Sequence, residues 1–194
     1  MTGTPRPGLR VVAPLAAVAL LACVLGVRGH VRRVEVERRA AQVAGTIAGH
    51  RVQVHCPGPI RSHLFYEITE GRVRFSADGV PDRETNLSAD ACAGLRRVLD
   101  RGSSLNLQCL YWSCSQDDTR AAMGLIVLTH ESVHLRGVLD EGQAECEAER
   151  RVADTALALG LTPAAAQDVA HWARTDYAEL LPEQYRLCAD SNAA

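Results

Sequence analysis

The chain has 194 residues, of which 47% are hydrophobic and only 4% aromatic, and its formal net charge is −2. This length suits one domain of ordinary size plus an appendage. The core of that domain must rely on Leu, Val and Ala side chains. A chain without excess positive charge gives no reason to expect nucleic-acid binding.

The N-terminal part contains an uncharged apolar run at residues 11–27, which follows Arg6 and Arg10. Its length is at the lower limit for a membrane-spanning helix and exceeds a usual signal-peptide core. We therefore predict a short tail at residues 1–10 and an uncleaved transmembrane signal anchor at residues 11–27. A lipoprotein signal that ends at Cys23 is an alternative.

The cysteines indicate the cellular compartment of the C-terminal domain. Beyond Cys23 there are six of them: Cys56, Cys92, Cys109, Cys114, Cys146 and Cys188. An even number spread over a small domain indicates up to three disulfides in an oxidising compartment. The Arg residues after the apolar run argue instead for a cytoplasmic C-terminal part. We give the cysteines more weight and predict a cell-membrane protein whose C-terminal domain is extracytoplasmic.

The region after the apolar run begins with an Arg- and Ala-rich stretch. Residues 28–49 predict a juxtamembrane helix or stalk, and the folded domain is expected at residues 50–194. Polar and apolar residues alternate at 51–56, as in a half-buried strand. Residues 63–81 predict a hairpin, with turns near Gly71 and at Gly79.

The rest of the domain is predicted to be mostly helical. Ser88 can cap a short helix that stops at Gly102, and the alternation at 104–114 favours an edge strand. Three further helices are expected to start at Asp117 or Asp118, at Asp140 and at Thr162–Pro163, and to end at Gly137, at Gly160 and before Pro182. The expected fold class is α+β, with a small antiparallel or mixed sheet followed by helices.

A metal-binding pattern lies in the first of these three helices, where His130 and His134 are four residues apart and Glu131 follows the first. Residues i and i+4 share one face of a helix, so both imidazoles can bind one metal ion. Zinc accepts such ligands and leaves a position for water, which an adjacent carboxylate can activate. The sequence therefore predicts a Zn²⁺ site with Glu131 as general base.

This H-E-x-x-H pattern resembles the active-site helix of the zincin metallopeptidases. The following segment, LDEGQAEC, is similar to the second ligand helix of the gluzincin branch. The resemblance implies a zincin-like domain with an active-site helix and C-terminal helices. It also implies that Glu141 is the third zinc ligand and that Glu145 supports a zinc-bound histidine.

Two other acidic residues are alternatives to Glu141 as the third zinc ligand. The pattern also fits a metzincin-like arrangement, in which Gly137 forms a turn and Asp140 binds the metal, although no methionine follows it. Glu145 can instead reach the metal because the connection between the two helices is short. We rank Glu141 first, Glu145 second and Asp140 third.

The expected activity is hydrolysis of a peptide or protein substrate by a membrane-anchored, extracytoplasmic zinc peptidase. Such a reaction needs a hydrogen-bond donor for the developing oxyanion. His171, Tyr177 and Tyr185 are the candidates. The alternative is a catalytically silent zincin-like module that has a binding or structural role at the cell surface.

Overall fold

The computed structural model describes residues 9–58, residues 71–185 and Cys188. The residues up to Glu35 form one compact unit, and the chain from Val36 onward forms a second. The second unit contains the sheet, the later helices and the candidate functional site.

Helix α1 runs Leu9–Ala48 and carries the segment that we expected to cross a membrane. Among the described residues, however, no helix combines the length and the apolar character that a membrane crossing needs. The side chains of residues 11–19 lie outside the described part, so the transmembrane helix expected at residues 11–27 stays a prediction from the sequence.

The last turns of α1 belong to the second unit and pack into its core. The buried positions recur every three or four residues, as expected for one face of a helix. They are Val36, Ala40, Val43, Ala44 and Ala48. The compact unit thus starts at Val36, well before the domain start that we expected at residue 50.

The sheet has three strands, β1 (Gln53–His55), β2 (Gly71–Phe75) and β3 (Pro81–Leu87), in the order β1-β3-β2. The β1 and β3 strands are parallel, and β2 pairs with β3 antiparallel. The prediction of an α+β domain with a small mixed sheet is confirmed. The hairpin strand expected before Gly71 lies outside the described residues, and the central strand β3 was not expected.

Four helices follow, and three of them have the predicted N-caps Ser88, Asp140 and Thr162. The helices are α2 (Ala89–Arg101), α3 (Gln116–Leu135), α4 (Glu141–Ala158) and α5 (Pro163–Trp172). The cap of α3 is Ser115 and not an aspartate, because its hydroxyl accepts the Asp118 amide hydrogen. A π-helical turn (Ala173–Tyr177) joins α5 to the short helix α6 (Ala178–Leu180).

The edge strand expected at residues 104–114 is wrong. This segment forms two 3₁₀ turns, Gly102–Ser104 and Gln108–Tyr111. The Asn106 side chain accepts the backbone N–H of Gln108 at 2.9 Å, and this local bond favours a turn over a sheet ladder.

Three disulfides join the six cysteines of the second unit, as predicted. They are Cys56–Cys92, Cys109–Cys114 and Cys146–Cys188. The first connects the end of the β1 region to α2, and the second closes a loop of a few residues. The third connects α4 to the C-terminal segment and limits how far that segment can move from the helix.

The core consists mainly of Leu, Val and Ala side chains, as the composition predicts. Two glycines allow α2 and α3 to cross at close range. A Cβ atom on Gly94 would lie 1.9 Å from the Arg120 carbonyl oxygen, and one on Gly124 would lie 2.7 Å from the Ala91 carbonyl oxygen. Because the neighbouring atoms belong to the backbone, neither contact can be relieved by moving a side chain.

The Gly94→Ala variant is accordingly expected to lower the free energy of unfolding by about 1–3 kcal/mol, the usual cost of overpacking a core. Urea denaturation followed by circular dichroism measures this change. Gly29→Ala is the matched control, since Gly29 is also helical and its Cβ would meet nothing within 4 Å. Equal stability of the two variants would contradict the close crossing.

Candidate metal centre

Two histidines of α3 and the first residue of α4 converge on one point. His130 Nε2 and His134 Nε2 lie 3.0 Å apart, and Glu141 Oε2 lies 3.1 Å from each of them. The two histidines share a helix face because they are four residues apart. The turn after α3, in which Gly137 has a φ of 107°, brings the start of α4 back toward them.

The Nδ1 nitrogen of each histidine contacts a hydrogen-bond acceptor other than Glu141. His130 Nδ1 lies 2.8 Å from Glu145 Oε2, and His134 Nδ1 lies 2.6 Å from the Val138 carbonyl oxygen. Both partners accept hydrogen bonds, so these contacts assign the Nδ1–H tautomer to both rings. In this neutral tautomer both Nε2 lone pairs face the Glu141 carboxylate, so a proton or a metal ion is needed between them.

Such a group of three electron-pair donors is stable only around a cation. The three ligand atoms of His130, His134 and Glu141 could hold a metal ion. In a tetrahedral zinc site with bonds of about 2.0–2.1 Å, ligand atoms are about 3.3 Å apart. The observed separations of 3.0–3.1 Å are within a few tenths of an ångström of this value, so the residues fit such an ion.

The other two acids that we considered as ligands have different partners. Asp140 caps α4 by accepting the Gln143 amide hydrogen at 2.8 Å. Glu145 is buried and holds His130 by its Nδ1–H. A carboxylate in this position orients a metal-binding histidine and raises its basicity.

Glu131 follows His130 on α3, lines the same cavity and lies against the sheet. It is buried, and the Thr85 hydroxyl lies 3.3 Å from its Oε2 atom. A Cβ atom on Gly71 would lie 2.5 Å from its Oε1 atom, so β2 has a glycine where the carboxylate needs space. Burial raises the pKa of Glu131 against the lowering effect of the two histidines.

The acids around the histidines stabilise the protonated form of His130. Burial lowers the pKa of His130, but hydrogen bonds with Glu141 and Glu145 outweigh it and raise that pKa to about 10. The hydrogen bond with His130 lowers the pKa of Glu141 to about 2. In the metal-free protein at neutral pH, a proton on His130 therefore supplies the positive charge that the cluster needs.

Metal affinity is expected to increase with pH for the same reason. Below a pH of about 10, His130 carries a proton that an incoming ion must displace. The association constant should rise by about tenfold per pH unit for each proton released. Calorimetric titration in buffers of different ionisation enthalpy counts these protons, and an affinity that stays constant between about pH 6 and 8 would contradict this.

The converging atoms lie in a cavity of about 690 Å³. Its walls come from β2, α3, the start of α4 and the C-terminal segment. Phe75 of β2 contacts the His134 ring edge-on, with ring centroids 6.0 Å apart. Tyr177 and Tyr185 line the cavity, and Tyr185 approaches His130 with ring centroids 6.4 Å apart.

His171, by contrast, is not among the residues that line this cavity. It is exposed and contacts the Tyr111 ring, with centroids 5.0 Å apart. The π-helical turn after α5 shifts the helix register and brings the buried Tyr177 to the cavity wall. Such turns often occur at functional sites.

Two residues of the site were not identified from the sequence. Gly71 was expected only as part of a turn, and Thr85 lies in the strand β3 that we did not predict. A small residue and a hydroxyl have no recognisable spacing to the histidines, so only the folded chain brings them to Glu131.

No protein-family model, no curated protein and no solved structure matches this chain.

Proposed function

We propose that this protein is a zinc-dependent peptidase of zincin type. The observation that carries the proposal is the convergence of His130 Nε2, His134 Nε2 and Glu141 Oε2 at 3.0–3.1 Å next to a buried glutamate. A structural zinc site is usually closed by four protein ligands, whereas a catalytic one keeps a position open. Three ligands beside an accessible cavity match the second arrangement.

The three converging residues would hold the ion, and Glu145 would orient His130. A bound zinc ion supplies Lewis acidity and lowers the pKa of a bound water. Glu131 acts as the general base of the reaction. It takes the proton at Oε1, because the Thr85 hydroxyl lies beside Oε2, and it then delivers this proton to the leaving amine.

The cavity gives a peptide apolar and polar contacts. Val73, Phe75 and Leu139 line it with apolar side chains, and Tyr177 and Tyr185 add phenol groups. Burial and the nearby acids raise the pKa of Tyr185, so its hydroxyl stays protonated at neutral pH and can donate. Tyr177 and Tyr185 are thus the candidates for stabilising the oxyanion, and His171 is less suitable because it lies elsewhere.

The disulfides support a proposal for the cellular compartment of the domain. Three disulfides in one small domain are typical of extracytoplasmic proteins, since cytosolic thiols are kept reduced. We therefore propose an extracytoplasmic domain. Attachment to the membrane by residues 11–27 stays a prediction from the sequence.

The test uses the purified full-length chain. Metal analysis should find one zinc ion per chain, and a library of fluorogenic peptides should be cleaved. Removal of zinc by 1,10-phenanthroline should abolish cleavage, and added zinc should restore it. Absence of bound zinc would overturn the proposal, while bound zinc without cleavage would favour the catalytically silent binding module.

The Gly71→Ala variant tests the position of Glu131 within this proposal. Its Cβ atom would overlap three atoms of the Glu131 side chain at 2.5–2.7 Å and displace the carboxylate. A displacement of about 1 Å can lower the rate about 10²-fold. We expect that loss in kcat with zinc content unchanged, and full activity would show that the space beside Gly71 has no part in the reaction.

A further inference from the structure

A second cavity of about 410 Å³ lies between the 3₁₀ turns after α2 and the first turns of α5. It shares no lining residue with the cavity at the histidines. Most of its polar wall consists of hydroxyl and amide groups, and Asp168 is the one charged residue among the described residues of the wall. These polar residues are Ser103, Ser104, Asn106, Gln108, Thr162 and Asp168.

Two exposed aromatic side chains lie at the end of the 3₁₀ turn that contributes Gln108 to this cavity. Trp112 is 72% exposed and Tyr111 is 44% exposed, and their ring centroids are 6.1 Å apart. The Cys109–Cys114 disulfide closes the loop that carries them, which limits the conformations of that loop. The Tyr111 ring packs against His171, with ring centroids 5.0 Å apart, and His171 lies one turn after Asp168 on α5, so Tyr111 is close to the polar wall. The nearby Asp168 carboxylate adds to the effect of burial and raises the pKa of Tyr111.

We propose that this surface, formed by the polar cavity with Tyr111 and Trp112, binds a neutral saccharide. A sugar ring has hydroxyl groups that both donate and accept, and these match the amide, hydroxyl and carboxylate groups of the wall. Its C–H faces pack against aromatic rings, which provide large apolar contact areas. The volume lies within the range of about 300–1,000 Å³ that is usual for small-molecule sites.

Other ligand classes fit less well. An anion would be repelled by Asp168, since none of the described residues that line the cavity is Lys, Arg or His. A lipid chain would make little apolar contact, because the apolar part of the wall is limited among the described residues to Leu105, Ala164 and Ala165. Exposed aromatic rings alone would also suit a membrane surface, so the experiment includes vesicles.

The emission of Trp112 provides the signal for the test. The chain has two tryptophans, and Trp172 is buried, so a ligand that covers the site changes mainly the emission of Trp112. The full-length protein is titrated with the trisaccharides of N-acetylglucosamine, mannose and glucose up to about 10 mM. At least one of them should give a saturable blue shift, and the absence of a shift with all three would overturn the proposal.

Variants then locate the binding site. Asp168→Ala and Gln108→Ala should each weaken saccharide binding at least tenfold, and Gln108 is exposed, so its loss leaves the fold intact. Gln53→Ala is the matched control, because Gln53 is an exposed glutamine of β1 outside the cavity. Binding that persists in both cavity variants would overturn the proposal. So would a blue shift with phosphatidylcholine vesicles but with no saccharide, because it would identify a membrane-facing surface.

Discussion

The Glu131→Gln variant is expected to retain its metal ion and to lose peptidase activity by about 10²–10⁴-fold, the usual contribution of a general base. Gln keeps the size and the hydrogen-bonding capacity of the side chain, so Thr85 and Gly71 keep their contacts. The amide cannot take up a proton, however, and the attacking water is no longer activated. The measurement is kcat with a fluorogenic peptide, together with the zinc content of the same preparation.

The control for this variant is Glu183→Gln, which changes an exposed carboxylate that does not line the cavity. Both variants remove one negative charge. Only Glu131→Gln should affect turnover. A fully active Glu131→Gln enzyme would exclude Glu131 as the base, even if zinc is bound as proposed.

Replacing His134 by Ala is expected to abolish stoichiometric zinc binding. The variant removes one of three ligand atoms and also the hydrogen bond from Nδ1 to the Val138 carbonyl oxygen. Changes to groups that merely support a ligand already weaken metal binding about 10–100-fold, so the loss of a ligand should exceed that range. Competition with a chromogenic chelator measures the affinity, and activity should fall in proportion to the zinc retained.

His171→Ala is the matched control, because His171 is an exposed histidine that contacts Tyr111 outside the metal cavity. It should bind zinc with unchanged affinity. If the two histidine variants lost zinc equally, the effect would have to come from a general change in folding. If His134→Ala kept its zinc, the proposed ligand set would be incorrect.

Much of the candidate site could be predicted from the sequence because its chemistry is concentrated in a short stretch. His130 and His134 lie on one helix, and helical geometry alone puts them on one face. Glu141 and Glu145 lie one turn apart on the next helix. The sequence could not decide which acid reaches the metal, because that depends on how the turn at Gly137 orients the start of α4.

The parts that were missed depend on contacts between distant segments. The strand β3 has the sequence PDRETNL, and its polar composition gives no indication that it is the central strand between β1 and β2. The segment at 104–114 alternates polar and apolar residues like a strand. The Asn106 side chain, however, accepts the Gln108 N–H and favours a turn there. The face of α1 that begins at Val36 has helical periodicity, but its Arg-rich surroundings suggested a solvent-exposed stalk.

Formation of the Cys146–Cys188 disulfide during maturation would affect the cavity at the histidines. Cys146 follows Glu145 directly, and Cys188 comes shortly after Pro182 and Tyr185, which line the opposite wall. In a chain with reduced cysteines, no covalent bond holds this wall against α4. Newly made protein would therefore have the metal ligands of α3 and α4 but a loosely held substrate cavity. Oxidation of this one cysteine pair would complete the cavity, so the proposed hydrolysis would begin only once the disulfide has formed.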